Sequence, residues 1–370
     1  MKRNLKVLIG GAPFGDKNFG EDAILATDIG MLRRIDPTIE VTVLTHEPER
    51  TQAWLDVKAF PRGNGRRNPR FFQHLRLMRS TDVFAFGGTT MLSDGPDLPL
   101  RMIFLAKLLG KPVFTFPCGM NPIRSRVTKL FIRLLLNKVD LLLVRDDETR
   151  DLLAEYGVKI PMHVTADQVL TLQPETSPAS LDKVLAEYPF LARQRPVALI
   201  SLVHEGTPPL DEFRKACNYL VDELGYSLVF FPAQPNDSHD FTLAVMQGIA
   251  TNGKCFLLAN RYYPEEVLAL LRFVDLVISS RLHLLIPSVL ANVPVIGISR
   301  SAKIHNFFRK MGEECVSGME SVSFEALRTQ IVRIHLDREN VKHALGGKVE
   351  LLTRQAQESE RIIADFIGTL

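Results

Sequence analysis

Short apolar runs alternate with amphipathic stretches along the whole chain. In the first half the runs Lys6–Gly10, Glu40–Thr45, Asp82–Gly87, Pro112–Phe116, Asp140–Arg145 and His163–Ala166 read as strands. Between them Asp22–Arg34, Leu98–Leu109, Arg124–Asn137 and Asp147–Tyr156 carry apolar residues at helical spacing. In the second half Pro196–Val203, Ser227–Pro232, Cys255–Leu258, Asp275–Ser279 and Pro294–Ile298 read as strands, with helices over Leu210–Leu224, Pro264–Phe273 and Leu282–Ala291. A strand that is apolar throughout is covered on both faces, and alternation of such strands with helices is the pattern of a parallel sheet. The chain therefore predicts an α/β protein of two Rossmann-like domains facing a cleft, with ligands at the carboxyl ends of the strands. The expected divisions are residues 1–172, a proline-bearing linker over 173–194, a second domain over 195–345, and a C-terminal helix over 346–370 packing back on the first domain. The pattern is helical from Val322, with the last helix near Val349–Ile367.

Bulk properties narrow this picture. A chain of 370 residues exceeds what one core usually covers, and 46% hydrophobic with 24% charged residues is ordinary for a soluble protein. A net charge of +3 gives no global case for nucleic-acid binding. Cys118, Cys217, Cys255 and Cys315 lie far apart without paired metal-ligand spacing, which predicts reduced, mostly buried thiols and a cytoplasmic location. The first apolar run stops at Gly10-Gly11, too early for a signal peptide. No window reaches the roughly 18 uncharged apolar residues of a membrane span. The nearest approach, Leu130–Val144, is interrupted by Arg133, Lys138 and Asp140.

The strongest chemical signal is Asp275-Leu-Val-Ile-Ser-Ser-Arg-Leu-His283. A buried strand runs to Ser279, a helix follows, and Ser279 or Ser280 is placed to cap it. Arg281 and His283 then stand at a helix N-terminus, where free N–H groups and the helix dipole attract anions. His283 lies off the apolar stripe; a histidine held by a local hydrogen bond is the competing reading. Lys303, after the next strand, adds a cation to the same region or is a solvated lysine. Gly10-Gly11-Ala-Pro-Phe-Gly15-Asp-Lys-Asn18-Phe-Gly20-Glu21-Asp22 joins the first strand to the first helix, with spacing of neither a P-loop nor a dinucleotide fingerprint. Phe86-Gly87-Gly88-Thr89-Thr90 and Asp94-Gly95 follow another buried strand and suit sugar hydroxyls or a phosphate; an irregular loop is the alternative. Arg145 ends a strand, pointing to the cleft or pairing with a neighbouring acid, and Asp167 can fix a hydroxyl or orient a side chain. Finally, Arg62, Arg66, Arg67, Arg70, Arg76 and Arg79 form a stretch without an acid, interleaved with Phe71 and Phe72. It reads as a mobile solvated loop, or as a contact for a diphosphate-linked acceptor near a membrane surface.

These pieces, in this order over roughly residues 5–312, resemble the polysaccharide pyruvyl transferase family. That family's Asn-x-Gly-Asp-Glu and Ala-Ile-Leu helix appear as Asn18-Phe19-Gly20-Glu21-Asp22-Ala23-Ile24-Leu25, with the two acids exchanged. Its second glycine loop resembles Gly87-Gly88-Thr89-Thr90, and its arginine–acid segment resembles Val144-Arg145-Asp146-Asp147-Glu148 followed by Thr165-Ala166-Asp167. The most specific mark is Arg281-Leu282-His283; Asn292-Val293-Pro294-Val295-Ile296-Gly297-Ile298 follows, with Asn in place of the usual Gly, and then Lys303.

The resemblance implies a glycosyltransferase-B-like arrangement with phosphoenolpyruvate as co-substrate, no cofactor, and a saccharide acceptor, free or lipid-diphosphate-linked. It implies a catalytic His283 and donor contacts from Arg281, Arg145, Lys303 and Ser280, with the donor held mainly by the second domain. Acceptor contacts are expected from Asn18, Glu21, Asp22, Gly87, Gly88, Thr89 and Asp94. A peripheral contact with the inner face of a membrane fits a lipid-linked acceptor. Two other readings share the fold: a nucleotide-sugar glycosyltransferase with Glu265 or Glu266 as ribose-binding acid, and a non-catalytic saccharide- or anion-binding protein.

Overall fold

The computed structural model describes residues 4–63, 70–88, 98–173, 177–192, 196–249, 254–258, 262–300, 302–316 and 318–370. The chain divides into two compact units: Met1–Asp16, Glu21–Thr171 and Leu352–Leu370 form the first, Lys17–Gly20 and Leu172–Leu351 the second.

In chain order the first half contains β1 (Lys6–Gly10), α1 (Phe19–Ile35), β2 (Glu40–Thr45), α2 (Pro48–Leu55), β3 (Lys58–Pro61), α3 (Phe71–Ser80) and β4 (Val83–Phe86). It continues with α4 (Leu98–Leu108), β5 (Val113–Thr115), α5 (Arg126–Leu136), β6 (Leu142–Val144), α6 (Asp147–Glu155) and β7 (Met162–Val164). Five strands pair in parallel in the order β3-β2-β1-β4-β5. The short β6-β7 pair continues this edge through parallel bridges Phe114–Leu141 and Cys118–Val144. Phe84, Phe86, Ile103, Ile132 and Leu142 belong to the core. From the C-terminal segment, Phe366 meets the Phe114 ring edge-on at 5.9 Å and Ser359 Oγ accepts from Gln168 Nε2 at 2.8 Å.

The second half contains α7 (Pro178–Glu187), β8 (Val197–Ser201), α8 (Leu210–Asn218), β9 (Ser227–Phe230), α9 (Pro235–Met246), β10 (Cys255–Leu257), α10 (Pro264–Leu271) and β11 (Leu276–Ser279). It ends with α11 (Leu282–Leu290), β12 (Val295–Gly297), α12 (Ala302–Lys310), α13 (Phe324–Leu336) and α14 (Arg338–Ile367). Its sheet is again parallel, in the order β10-β9-β8-β11-β12, over a core including Ile200, Phe230 and Ile278. Both units are thus doubly wound, with switch points between β1 and β4 and between β8 and β11.

One device recurs at the amino ends of these strands. An aspartate before a strand accepts the first free N–H of the neighbouring strand: Asp82 Oδ2 from Lys6 N at 2.9 Å, Asp140 Oδ2 from Val113 N at 2.7 Å, and Asp275 Oδ2 from Val197 N at 2.9 Å. Each satisfies a backbone donor that the ladder has not yet reached.

Several elements differ from expectation. The presumed linker holds α7, whose Lys183 pairs with Glu266 of α10 at 2.6 Å. The basic stretch is not a loop throughout: Phe71–Ser80 is helical, because His74 and Met78 are buried one turn apart. Strand β3 and helix α2 have too few periodic positions to be recognised singly. The final helix begins at Arg338, ahead of Val349. The helix expected over Leu210–Leu224 changes to π-type hydrogen bonding at Tyr219–Glu223.

Asn292 follows the C-cap of α11 with φ 56°, and its N–H donates to Val289 O at 3.0 Å. This left-handed position suits glycine first and asparagine next. Asn292→Gly is therefore expected to keep unfolding stability within about 0.5 kcal/mol of the parent, and Asn292→Val to lose about 1–2 kcal/mol. Urea unfolding compares them; equal stability of the Val and Gly variants would contradict the backbone argument.

Candidate functional site

Switch points place two groups of residues. In the second unit β11 ends at Ser279, and the chain turns so that Arg281 is the N-cap of α11, with φ −117° and no side-chain cap. Neither serine caps the helix as expected. Ser279 Oγ instead accepts from Arg281 N at 2.9 Å, and Ser280 Oγ accepts from Val203 N at 2.9 Å. Ser280 is fully buried, so its hydroxyl ties the ends of β8 and β11 together. The side chain of Arg281 does not cap α11, whose amino end carries the positive end of the helix dipole.

Arg281 and His283 flank that turn, both half-buried. Arg281 Nη1 donates to Gln234 Oε1 at 3.2 Å, which fixes the guanidinium near the end of β9. The segment Lys17–Gly20 packs here too: Phe19 N donates to Ala233 O at 3.0 Å, and its ring meets Phe231 edge-on at 5.7 Å. Asn18 Oδ1 accepts from Gly20 N at 2.9 Å, holding the turn that lays Gly20 against His283. A Cβ on Gly20 would collide with Nδ1 of that ring. Lys303 is half-buried in the first turn of α12, after the adjacent strand β12. Arg300 is drawn to Glu205 at 3.0 Å.

In the first unit the segment after β4 meets α1 through Gly88, and Arg145 stands at the end of β6. Arg145 is buried, 4% exposed, and its Nη1 pairs with Asp167 Oδ2 at 3.0 Å while Nε faces Asp146 Oδ2 at 3.4 Å. The guanidinium lies over Gly119, where any Cβ would strike it. Arg145 Nη2 and Thr165 Oγ1 are buried with no hydrogen-bond partner among the described residues. Asp28 of α1 completes the group: its Oδ2 accepts from Gly88 N at 3.0 Å. Burial pushes the Asp28 carboxyl well above the usual carboxylate range; the Gly88 N–H opposes this, and the charges of Asp167 and Glu21 add to it. Gly87 is held without a side chain by the Phe14 ring.

The exchanged acids have separate surroundings. Glu21 faces this cluster electrostatically, whereas Asp22 is buried and its Oδ2 takes Arg50 Nη1 at 3.1 Å. Asp22 is thereby occupied away from the cluster. Thr89, Thr90, Asp94 and Gly95 lie outside the described residues, as do Arg66 and Arg67. Arg62 donates to Gly11 O at 3.1 Å and bonds His46 Nε2 at 3.3 Å, so it braces the first glycine turn. The Cys118 thiol is pushed up to about 12 by burial, which leaves it poorly suited to nucleophilic work. Among the described residues no His, Cys, Asp and Glu are grouped so as to hold a metal ion.

Asp28, Gly119 and Gln234 were not singled out in the sequence. Asp28 carried a legible signal, two helical turns after Glu21 and inside the mostly apolar segment Ala23–Ile29. Gln234 sits just after a strand, where ligand-facing residues collect. Gly119 carried none, since its role depends on where Arg145 lies.

Comparison with known proteins follows the same lines. The sequence model of the family described as polysaccharide pyruvyl transferase matches residues 18–302. A search of curated proteins finds no match by sequence. Among solved structures, UDP-GlcNAc 2-epimerase from Neisseria meningitidis, bound to UDP-GlcNAc, is similar with TM-score 0.68 and 13% identity, covering 100% of both chains. A glycosyltransferase from Rickettsia africae ESF-5 is similar with TM-score 0.66 and 14% identity, covering 98% of this chain and 99% of that one. Escherichia coli ADP-heptose lps heptosyltransferase II gives TM-score 0.55 and 14% identity, covering 90% and 99%. These identities speak to the fold alone: two Rossmann-like domains of the glycosyltransferase-B type.

The raised Asp28 carboxyl makes a prediction about stability. A carboxyl that keeps its proton in the folded state stabilises fully below its unfolded pKa, and this is lost as pH rises through the folded value. Asp28→Asn, which preserves the acceptor for Gly88 N, removes that loss. The melting temperatures of parent and variant are expected to converge near pH 4 and to separate in favour of the variant as pH rises. Parallel curves across the range would contradict a protonated Asp28.

Proposed function

Because this chain belongs to the polysaccharide pyruvyl transferase family, we propose that it forms a cyclic pyruvate ketal on a saccharide, using phosphoenolpyruvate and releasing phosphate. The observation that carries this reading is that Arg281 and His283 stand together at the N-terminal turn of α11, at the carboxyl end of β11 beside a switch point.

Phosphoenolpyruvate brings a carboxylate and a phosphate, nearly three negative charges at neutral pH. Removing them from water without compensation is prohibitive. Arg281, Lys303 and the N–H groups of α11 supply positive potential, and a guanidinium can grip an anion through two parallel bonds. Ser280 acts by fixing the loop rather than by touching the donor. The first-unit cluster has the opposite character: Glu21 and Asp167 are acceptors, as sugar hydroxyls require, beside the backbone of Gly87 and Gly88. Arg145, neutralised by Asp167, orients that cluster and retains Nη2 for a ligand oxygen. Asn18 acts on His283 through the Gly20 turn.

Protons set the chemistry. The donor methylene takes one proton and becomes a methyl group, leaving the central carbon electrophilic. One hydroxyl adds there; the second displaces phosphate as its C–O bond breaks. Two hydroxyl protons are lost, one matching the proton gained by carbon and one matching that carried away by phosphate. The reaction therefore needs a relay of protons with no net acid or base, a task suited to imidazole. His283, packed closely against Gly20, is assigned this relay.

The structural neighbours include one bound to UDP-GlcNAc, which favours comparison with a nucleotide-sugar reading. Such a site needs a free acid for ribose. Glu266 is buried in the capping box of α10 and bound to Lys183, which weighs against it. Stabilisation by phosphoenolpyruvate and none by UDP-sugars is the expected thermal-shift result.

His283→Gln is expected to lower phosphate release with a competent acceptor by 100-fold or more, about the lower range for a general acid–base group. Near-normal turnover would remove His283 from the mechanism. Arg281→Ala is expected to weaken donor binding roughly tenfold or more, the loss of about 1.5–3 kcal/mol typical of a charged hydrogen bond. An unchanged apparent affinity for phosphoenolpyruvate would contradict the donor site.

A further inference from the structure

Helix α5 of the first unit is two-sided. Thr128, Ile132 and Leu136 face the core, while Val127, Leu130, Phe131 and Leu134 are each at least half exposed. Helix α4 packs beside it and adds Phe104 at 55% and Leu108 at 67% exposure. Between the two helices lies an apolar groove of about 650 Å³, with Phe104, Val127, Phe131 and Leu134 in its walls and Arg101 and Lys138 at its margins. An apolar patch this continuous is unusual on a surface meant only for water.

Its charge is equally one-sided. From Leu98 to Val139 the sequence carries eight lysines and arginines and no acid. Arg101, Arg124, Arg126, Arg133 and Lys138 are exposed among the apolar residues. Some cations have protein partners: Lys107 pairs with Asp140, and Lys129 lies over the Tyr156 ring at 4.4 Å. Arg126 and Lys138 border the patch at the two ends of α5. An apolar strip rimmed by cations matches the boundary of a bilayer, where acyl chains lie beneath anionic headgroups.

We propose that the α4–α5 face docks the protein onto a membrane surface that carries anionic lipid. Helix α5 has 11 residues, about 16 Å at 1.5 Å per residue, which is half the thickness of a hydrocarbon core. Its inner face is committed to the protein core, so it lies in the interface plane with only its outer residues inserted. No described helix is long and apolar enough to cross a membrane. The unit that docks is the one assigned the acceptor above, but the docking surface stands on its own residues and needs no substrate.

Flotation with vesicles of phosphatidylcholine, with and without phosphatidylglycerol, tests this using the full chain and neither substrate. Binding to the phosphatidylglycerol vesicles is expected to be at least tenfold tighter, and weaker at high salt. Leu130→Asp with Leu134→Asp is expected to lower it at least tenfold. Arg126→Gln with Lys138→Gln leaves the apolar strip intact and is expected to cost about fivefold per charge; it serves where the aspartate pair melts early by circular dichroism. Absence of flotation by the parent chain, or flotation unchanged in both pairs, would overturn the proposal. So would a concentration-dependent dimer that the aspartate pair abolishes, which would assign the face to a second copy.

Discussion

Parallel pairing obliges every strand in a sheet to deliver its carboxyl end to one edge, and nearly everything else in this protein follows from that obligation. Each crossover helix must then begin at that edge, so backbone donors and helix dipoles collect there in both sheets. The opposite edge collects strand amino ends, whose first N–H groups need acceptors. Asp82, Asp140 and Asp275 meet that need. The chemistry-bearing residues Arg145, Arg281 and His283 all belong to the first edge. Acids as structural fasteners at one edge and cations at the other are two sides of the same backbone polarity.

Charge burial explains why the two units differ. In the second, Arg281 is half-buried and donates to the neutral amide of Gln234. In the first, Arg145 is almost wholly covered, and a covered guanidinium without an anion would be untenable. Asp167 supplies the anion. A further acid in the same space ionises less readily, and burial, with the charges of Asp167 and Glu21 adding to it, raises the Asp28 carboxyl well above the usual carboxylate range. The result is a half-buried arginine beside a neutral partner in one unit and a covered arginine balanced by carboxyl groups in the other.

Much of this was legible in the sequence because it rests on local pattern. Strands that are apolar on both faces announced the parallel sheets, and β1 and β2 have the bounds that the pattern gave them. The strand-to-helix turn at Ser279–His283 was equally plain. What escaped notice depends on tertiary partners. Strand β3 is four residues long and earns its place by pairing with β2. Helix α7 looked like a linker because its proline marks a helix start as readily as a break. Ser280 looked like a cap until Val203 N claimed its hydroxyl. Asp22 and Glu21 are adjacent letters on a helix, yet 100° of rotation sends one to Arg50 and the other towards Asp28.

The turn after α11 carries a lesson about how kinship is judged. The family motif that this segment resembles has glycine where this chain has Asn292. A comparison of letters scores that as a loss. In torsion space the two are near-synonyms, since both tolerate the mirror-image twist recorded at this position. The letter differs, but the backbone twist it must adopt is one that both residues accept.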